Sequence, residues 1–429
     1  MRIEVVTIGD ELLLGYTIDT NAAHLARELA GIGVEIVRRT TCGDTAESIG
    51  SAVRDALDRS DGVITTGGLG PTSDDLTKPS IAALFGQRMV LDEAQLEWMR
   101  ARWAARWPDR PMPEANIQQA MLPEGARKLV NHHGSAPGIF LEDARGRWVA
   151  MLPGVPREMR GMLADTLLPL VRGRLGAALR VVRSRTLRTT GVAESLVADR
   201  IGTVDGGVGD VGLAYLPNVD GVDLRLTARD LPPDVADARL AAAAERVRGV
   251  VGQAVYGEGD ADLAGVVLDA CRARALTVGV AESCTGGLLG ARLTAVAGSS
   301  DVVRGGVIAY DDEIKRSLLD VPAALIDEHG AVSEPVVRAM ARGARARLAV
   351  DAALAITGIA GPGGGSAAKP VGTVWIALDL RGMVTTRLLR LWGDRDEVRQ
   401  RAAQAALELL RSTLDVRRTP SAVAPTASL

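Results

Sequence analysis

A serine, a tyrosine and a lysine stand in two short segments: Ser283 in AESCTGG, and Tyr310 and Lys315 in AYDDEIK. The chain has only four lysines among its 50 basic residues. Arginine can supply surface charge but keeps its proton in proteins, whereas a desolvated lysine can release its proton and act as a base. Lysine and tyrosine together can activate a serine hydroxyl without histidine. We therefore predict Ser283 as a nucleophile, with Lys315 and Tyr310 carrying protons.

Ordinary structural roles fit the spacing of these residues equally well. Ser283 could be the N-cap of a helix that begins at TGGLLGARL, and Lys315 could be a solvated helix residue. Cys284 is a rival nucleophile beside Ser283. Because two neighbouring residues at a helix start cannot both face one site, only one of them can attack, and we favour the serine.

A glycine-rich loop lies between two apolar, strand-like segments in AITGIAGPGGGSAAKPVGTVW, which starts at Ala355. A loop with few side chains can wrap its backbone N–H groups around a phosphate or an oxyanion. The alternative is a hairpin loop without a ligand. Lys369 lies in this loop, and we predict that it contacts phosphate.

The composition is that of a globular protein with more than one domain. The chain has 429 residues, of which 47% are hydrophobic and 24% charged, and a net charge of -3, which gives no general attraction to nucleic acid or anionic membrane. Its three cysteines are far apart, which favours a reducing cytoplasm. The start of the chain does not resemble a signal peptide, and no apolar run reaches the roughly 20 residues of a spanning helix.

Strand and helix patterns alternate through the first part of the chain, which predicts a parallel sheet covered by helices. Ligands of such sheets bind beyond the carboxyl ends of the strands, where GDE (residues 9–11) and GGLGPTSDDLT (residues 67–77) fall. Glycines together with carboxylates suit a phosphate-rich substrate and a divalent cation. The alternative is that Asp74 or Asp75 caps a helix that begins near Leu76. The predicted metal ligands are Asp10, Glu11, Asp74 and Asp75.

Arginines are concentrated at the start of a middle segment, residues 171–257, in which helix and strand patterns alternate. An RNA-binding surface would need a GxxG loop and stacking aromatic residues, and Tyr215 is the one aromatic residue near the arginines. We therefore predict a spacer or dimer-forming role for this segment. Residues 416–429 are rich in small residues, which predicts a disordered tail.

Four blocks in the last part of the chain resemble the signature blocks of the CinA family's C-terminal domain: AESCTGG, GGVIAYDDEIK, GAVSEP and TGIAGPGGGSAAKPVGTVW. That domain is similar to the stand-alone nicotinamide mononucleotide deamidase. GDELLLG, TTGGLGPTSDDLT, NHHGSAPG and LPGVPREM resemble the molybdopterin-binding-type domain of the same family, and the middle segment is similar to its KH-like insert. The resulting prediction is a three-domain α/β protein with a molybdopterin-binding-like parallel-sheet domain at 1–170, a KH-like α+β domain at 171–257, a deamidase domain at 258–415 and a tail at 416–429.

The resemblance implies that the C-terminal domain hydrolyses nicotinamide mononucleotide to nicotinate mononucleotide and ammonia, without a metal or other cofactor. It implies a metal-dependent ADP-ribose pyrophosphatase in the N-terminal domain, so that both sites would serve pyridine-nucleotide recycling. We expect a cytoplasmic homodimer that binds these small nucleotides and neither membrane nor nucleic acid. The alternatives are an N-terminal domain that binds a nucleotide or pterin without turnover, and an interaction protein in DNA uptake or repair.

Backbone groups and polar side chains of both domains are predicted to hold these substrates. The predicted oxyanion donors are Thr285, Gly286 and Gly287. The predicted contacts to ribose and phosphate in the C-terminal domain are Thr357, Gly358, Gly361, Gly364 and Lys369. The predicted ligand contacts in the N-terminal domain are Gly67, Gly68, Gly70 and Asn21.

Overall fold

The computed structural model describes residues 1–175, 180–202 and 208–414. The chain divides into two compact units: Met1–Arg183 with Ala228–Ala238, and Ser184–Thr227 with Arg239–Leu429. The predicted disordered tail, residues 416–429, lies outside the described residues. No helix among the described residues is both long enough and apolar enough to cross a membrane.

The first unit is built on a six-stranded sheet with strand order β2-β1-β3-β8-β7-β6. β2, β1, β3 and β8 run parallel, and β7 and β6 continue the sheet antiparallel. A short antiparallel pair joins β4 and β5. The elements of this part of the chain are β1 Arg2–Ile8, α1 Asp10–Leu13, α2 Thr20–Gly31, β2 Glu35–Cys42, α3 Ala46–Arg59, β3 Gly62–Thr66, α4 Thr77–Leu84, β4 Met89–Leu91, α5 Glu93–Arg106, α6 Ile117–Ala120, β5 Met121–Pro123, β6 Arg127–Leu129, β7 Gly138–Glu142, β8 Trp148–Leu152, α7 Pro156–Met162 and α8 Leu168–Arg174.

The central strands of this sheet are covered on both faces. In β1, Ile3 and Val5 belong to one hydrophobic cluster, and Val6 and Ile8 to another. Successive side chains of a strand point to opposite faces, so both faces of β1 are buried. β3 and β8 are buried along their whole length, as is usual for parallel strands covered by helices.

The middle segment contains a four-stranded sheet with strand order β10-β11-β9-β12. Four of its arginines lie in ion pairs, among them Arg188 with Asp223 at 3.1 Å and Arg180 with Asp230 at 3.5 Å. Their charge is therefore balanced within the protein. Its elements are β9 Val181–Thr189, α9 Glu194–Gly202, β10 Gly212–Pro217, β11 Val222–Leu231, α10 Pro233–Val251 and β12 Val255–Glu258.

The last part of the chain contains a five-stranded sheet with strand order β14-β13-β15-β16-β17. β14, β13 and β15 run parallel, and β16 and β17 are antiparallel. Its elements are α11 Leu263–Arg272, β13 Val278–Glu282, α12 Leu288–Thr294, β14 Val303–Ile308, α13 Asp312–Leu319, α14 Ala323–His329, α15 Glu334–Leu348, β15 Ala352–Gly358, β16 Thr373–Leu380, β17 Met383–Arg390 and α16 Arg395–Thr413.

Candidate active sites

Three neighbouring parallel strands bring the predicted catalytic residues to one edge of the five-stranded sheet. Ser283 directly follows β13, Tyr310 follows β14, and Thr357 lies at the end of β15. A cavity of about 280 Å³ opens at this edge. It is lined by Ser283, Tyr310, Lys315, Thr357 and the glycine-loop residues Gly358, Gly361, Gly363 and Gly364.

Lys315 is buried, with 1% of its surface exposed. Its Nζ donates a hydrogen bond to the Tyr310 carbonyl oxygen at 3.1 Å and lies 3.0 Å from Asp312 Oδ1. The alternative of a solvated helix residue is therefore wrong. Asp312 was not predicted as a site residue, although its i,i+3 spacing from the lysine on α13 indicates such a pair.

Tyr310 is open to solvent, with 59% of its surface exposed, while its phenol faces the cavity mouth. Arg395, the first residue of α16, donates to Tyr310 Oη at 2.9 Å and to the Gly361 carbonyl oxygen at 2.6 Å. This guanidinium thus joins the tyrosine to the glycine loop. No sequence pattern indicates Arg395 as a site residue, because only the fold brings the start of α16 to this edge.

The two neighbouring nucleophile candidates differ in their environment. Both line the cavity, so the expectation that only one of them faces the site is wrong, and Ser283 Oγ makes no hydrogen bond to another described residue. Burial raises the pKa of the Cys284 thiol to about 12, so the thiol stays protonated near neutral pH. The buried thiol is therefore not a preformed thiolate, and Ser283 stays the predicted nucleophile.

The residues predicted to hold an oxyanion are not in the cavity. The N–H of Gly286 donates to the Ser283 carbonyl oxygen at 3.0 Å, and that of Gly287 donates to the Glu282 carboxylate at 3.0 Å. Thr285 Oγ1 is buried and has no partner among residues 1–175, 180–202 and 208–414. None of the three lines the cavity, so this prediction does not match the structure.

Glu282 explains why the N–H of Gly287 is not available to an oxyanion. Its buried carboxylate also accepts the N–H groups of Leu289 and Gly290, so it satisfies the start of α12 in place of a capping side chain. The helix begins at Leu288 with Gly287 as its N-cap. Ser283 is therefore not the N-cap of this helix.

Lys369 also differs from its prediction as a phosphate contact. Its Nζ donates to the His329 carbonyl oxygen at 2.7 Å, at the C-terminal end of α14. A cation is favourable at a helix C-terminus, and the side chain does not line the cavity. Thr357 Oγ1 donates to the Ala331 carbonyl oxygen at 3.0 Å, which fixes its side chain at the cavity wall.

A second cavity, of about 520 Å³, lies at the carboxyl ends of the parallel strands of the six-stranded sheet. Gly67 and Gly68 have φ of +110° and +65°, and a Cβ on Gly67 would lie 2.2 Å from the Ile8 carbonyl oxygen. These positions therefore require glycine. The predicted site residues that line this cavity are Glu11, Asn21, Gly67, Gly68, Gly70, Asp74 and Asp75.

Asn21 offers a free acceptor to this cavity. Its Nδ2 donates to the Gly154 carbonyl oxygen at 2.7 Å and to Thr66 Oγ1 at 3.1 Å. Its Oδ1 is buried without a hydrogen-bond partner in the described parts of the chain. Because an unpaired buried acceptor is unfavourable, it is suited to accept a hydrogen bond from a ligand.

The four carboxylates predicted to bind a metal do not converge. Asp75 accepts the N–H groups of Gly70 at 2.8 Å and Thr72 at 2.9 Å, so it closes its own loop. Asp10 does not line the cavity. Among the described residues, no group of three His, Cys, Asp or Glu side chains could hold a metal ion. The predicted set therefore does not fit a preformed metal site.

The alternative of a helix cap for these aspartates is also wrong. The N-cap position of α4 is Leu76, and no side chain caps this helix. Loop closure by Asp75 is instead what shapes the glycine-rich turn.

The sheets and the helices that cover them define an α/β protein, and each of the two cavities lies at the edge of a sheet. Family models match residues 4–173 as "Probable molybdopterin binding domain", residues 184–257 as "Damage-inducible protein CinA KH domain" and residues 260–414 as "CinA C-terminal domain". The chain belongs to the CinA family, as the sequence blocks predicted.

Two curated relatives match nearly the whole chain. A "CinA-like protein" of Gemmatimonas aurantiaca is 61% identical over 411 residues, which cover 96% of each chain. A "Putative competence-damage inducible protein" of Desulforudis audaxviator is 43% identical, over 97% of this chain and 99% of the relative. The crystal structure of the competence/damage inducible protein CihA from Agrobacterium tumefaciens shares 43% identity, covers 36% of this chain and 93% of that one, and has a TM-score of 0.35.

Proposed function

We propose that the Ser283 cavity hydrolyses the carboxamide of nicotinamide mononucleotide to give nicotinate mononucleotide and ammonia, as a step of pyridine-nucleotide recycling. The observation that carries the proposal is the shared cavity of a serine hydroxyl and a buried lysine, beside a glycine loop. The buried lysine has two partners, the carbonyl oxygen of Tyr310 and the half-exposed carboxylate of Asp312.

The chemistry proceeds in two halves. Ser283 Oγ attacks the carboxamide carbon while its proton passes to the amine form of Lys315. Collapse of the tetrahedral adduct breaks the C–N bond, and the same proton leaves with the amine as ammonia. Water then attacks the acyl carbon, and its proton passes through Lys315 and the Tyr310 hydroxyl to Ser283 Oγ as the C–Oγ bond breaks and nicotinate mononucleotide is released.

Binding of the remote phosphate positions the amide. The Arg395 guanidinium and the turn from Gly361 to Gly364 lie at the cavity wall and present positive charge and backbone groups. Binding energy from the phosphate holds the amide against Ser283. Contacts remote from the reacting carbon therefore increase the rate by positioning it. Because Arg395 also bonds the Tyr310 hydroxyl, it orients the phenol toward the same space.

Ammonia release from nicotinamide mononucleotide tests this proposal. We expect Ser283→Ala to lower kcat by at least about 1,000-fold, as is typical when a nucleophile is removed. Lys315→Arg keeps the charge but removes the base, and a comparable loss is expected. Cys284→Ala is the matched control and retains activity. Loss of activity in Cys284→Ala together with retention in Ser283→Ala would refute the assignment.

For the N-terminal domain we propose hydrolysis of ADP-ribose to AMP and ribose 5-phosphate. The glycine-lined cavity and the free acceptor Asn21 Oδ1 support a nucleotide with sugar hydroxyls as its ligand. AMP formation is measured with chelator and with a series of divalent ions, and Asn21→Leu is expected to weaken substrate binding. Tight binding of ADP-ribose without AMP under any of these conditions would reduce the domain to a nucleotide-binding module.

A further inference from the structure

A third cavity, of about 620 Å³, lies within the second unit and shares no residue with the Ser283 cavity. Its volume is typical of small-molecule sites. Its walls come from the segments that follow β9 and β10, from the end of β17 and from α16. The residues that carry the argument are Thr190, Arg387, Trp392, Arg401 and Gln404.

Gln404 presents an unpaired acceptor at this cavity. Its Nε2 donates to Thr190 Oγ1 at 3.1 Å, and the Thr190 hydroxyl donates to the Asp220 carbonyl oxygen at 3.2 Å. Since the threonine proton is used in this way, its oxygen must accept, which fixes the orientation of the Gln404 amide. The residue is 3% exposed, and its Oε1 has no donor among the described residues.

Arg401 presents an unpaired donor, Nε, while its Nη2 lies 3.8 Å from the Glu397 carboxylate. Arg401 lies three residues before Gln404 on α16, which places both on one face of the helix. Its Nε is buried and has no acceptor within the described ranges. Its guanidinium packs over the Trp392 ring at 4.4 Å from the centroid. One helix face thus offers an acceptor and a donor side by side.

A flat ring and an anion would complete this environment. Trp392 is 69% exposed and lines the cavity together with Leu389 and Leu391, which form an apolar wall. Arg387 is exposed at the cavity and makes no ion pair with any described residue. The carboxylates Asp220 and Glu408 face arginines outside the cavity, at 3.4 Å and 2.6 Å. Glu194, an exposed residue, is the remaining acid of the lining.

We propose that this cavity binds an adenine nucleotide. The adenine edge carries an amino donor next to a ring-nitrogen acceptor, which is the complement of Gln404 Oε1 and Arg401 Nε. Trp392 and the leucines pack against the flat ring, since bases stack on aromatic side chains without regard to sequence. Arg387 attracts the phosphate. Ligand binding in this third cavity is independent of the hydrolysis proposed for the Ser283 cavity.

Calorimetric titration of the full chain with AMP and with inosine monophosphate tests the proposal. In inosine monophosphate an oxygen replaces the amino group and the neighbouring nitrogen carries a proton, so donor and acceptor are exchanged. We expect it to bind at least about 10-fold more weakly at this site, because both hydrogen bonds are lost. Equal affinity of the two nucleotides would overturn the assignment to adenine.

Two variants locate the binding. Trp392→Ala changes an exposed side chain, so the fold is retained, and we expect AMP to bind about 10-fold to 100-fold more weakly. Trp98→Ala is the matched control, because Trp98 is also exposed and packs under an arginine, Arg102 at 5.3 Å, but lies in the first unit. If AMP binding persists in Trp392→Ala and disappears in Asn21→Leu, AMP binds in the glycine-lined cavity and the proposal is overturned. The absence of AMP binding to the wild type at millimolar concentration would also overturn it.

A third variant tests the phosphate contact. Arg387→Ala is expected to weaken AMP about 10-fold and to leave adenosine unchanged, because adenosine carries no phosphate. Arg390→Ala on the same strand is its control, since Arg390 bonds Thr373 and does not line the cavity. An equal effect of both variants on AMP would show that general charge, and not this site, attracts the nucleotide.

Discussion

Lys78 is a buried lysine whose replacement should stabilise the protein. It is 3% exposed, and its Nζ donates to the Gln118 carbonyl oxygen. Burial lowers the pKa of its ammonium from 10.5 to about 8, against the opposing attraction of Asp75. At 1.36 kcal/mol per pH unit, protonating this buried amine at pH 7 costs about 3 kcal/mol relative to the unfolded chain.

The sign of the pH dependence follows from proton binding. Between pH 8 and 10.5 the unfolded chain holds the Lys78 proton and the folded chain does not, so stability rises with pH across this window. Lys78→Met removes the penalty and also removes one hydrogen bond, worth about 1 kcal/mol. We expect the variant to be more stable by about 2 kcal/mol at pH 7 and equal to the wild type near pH 10.

Urea unfolding of both proteins at pH 7, 8, 9 and 10 measures the difference. Lys128→Met is the matched control, because Lys128 pairs with Asp92 at 2.7 Å and is partly exposed. That variant is expected to lose stability at every pH, by at most about 1 kcal/mol. A Lys78→Met protein that is destabilised at pH 7, or whose difference from the wild type does not change with pH, would refute the reasoning.

Three further substitutions or probes follow from the site geometry. Glu282→Gln should lower the free energy of unfolding by about 2 kcal/mol, because the amide keeps only one acceptor oxygen and its NH2 group cannot accept a backbone N–H; thermal melts measure the loss, and an unchanged melting temperature contradicts it. Gly67→Ala should abolish nucleotide binding at the first sheet, since its Cβ meets the Ile8 carbonyl oxygen; calorimetry with ADP-ribose checks this, and wild-type affinity contradicts it. Cys284 should resist iodoacetamide at pH 8 in the folded protein and react after denaturation, as mass spectrometry can show, because burial keeps the thiol protonated.

The sequence predicted the fold and the sheet edges at which the two cavities lie because the signals were local. Alternating apolar segments indicated parallel strands, and parallel strands place the residues after them at one edge. Ser283 and Tyr310 each follow such a strand, so their position at one edge of the sheet could be inferred without coordinates. The scarcity of lysine singled out Lys315, and the structure buries that side chain at the same cavity.

Predictions of individual contacts were less accurate, because they depend on competition between partners. The sequence predicts that the N–H of Gly287 faces a ligand, but in the structure this N–H donates to the carboxylate of Glu282. Lys369 was expected at a phosphate and instead caps a helix end that lies 40 residues earlier in the chain. Arg395 was missed for the same reason, since its partners Tyr310 and Gly361 are distant in sequence.

The final helix, α16, has a consequence for truncated forms of the protein. Its first residue, Arg395, forms part of the wall of the Ser283 cavity, and Gln404, about two and a half turns later, forms part of the wall of the third cavity. A stop codon or a proteolytic cut anywhere before Arg395 would therefore open both cavities at once. A cut after Leu414 would spare every side chain that lines either of them.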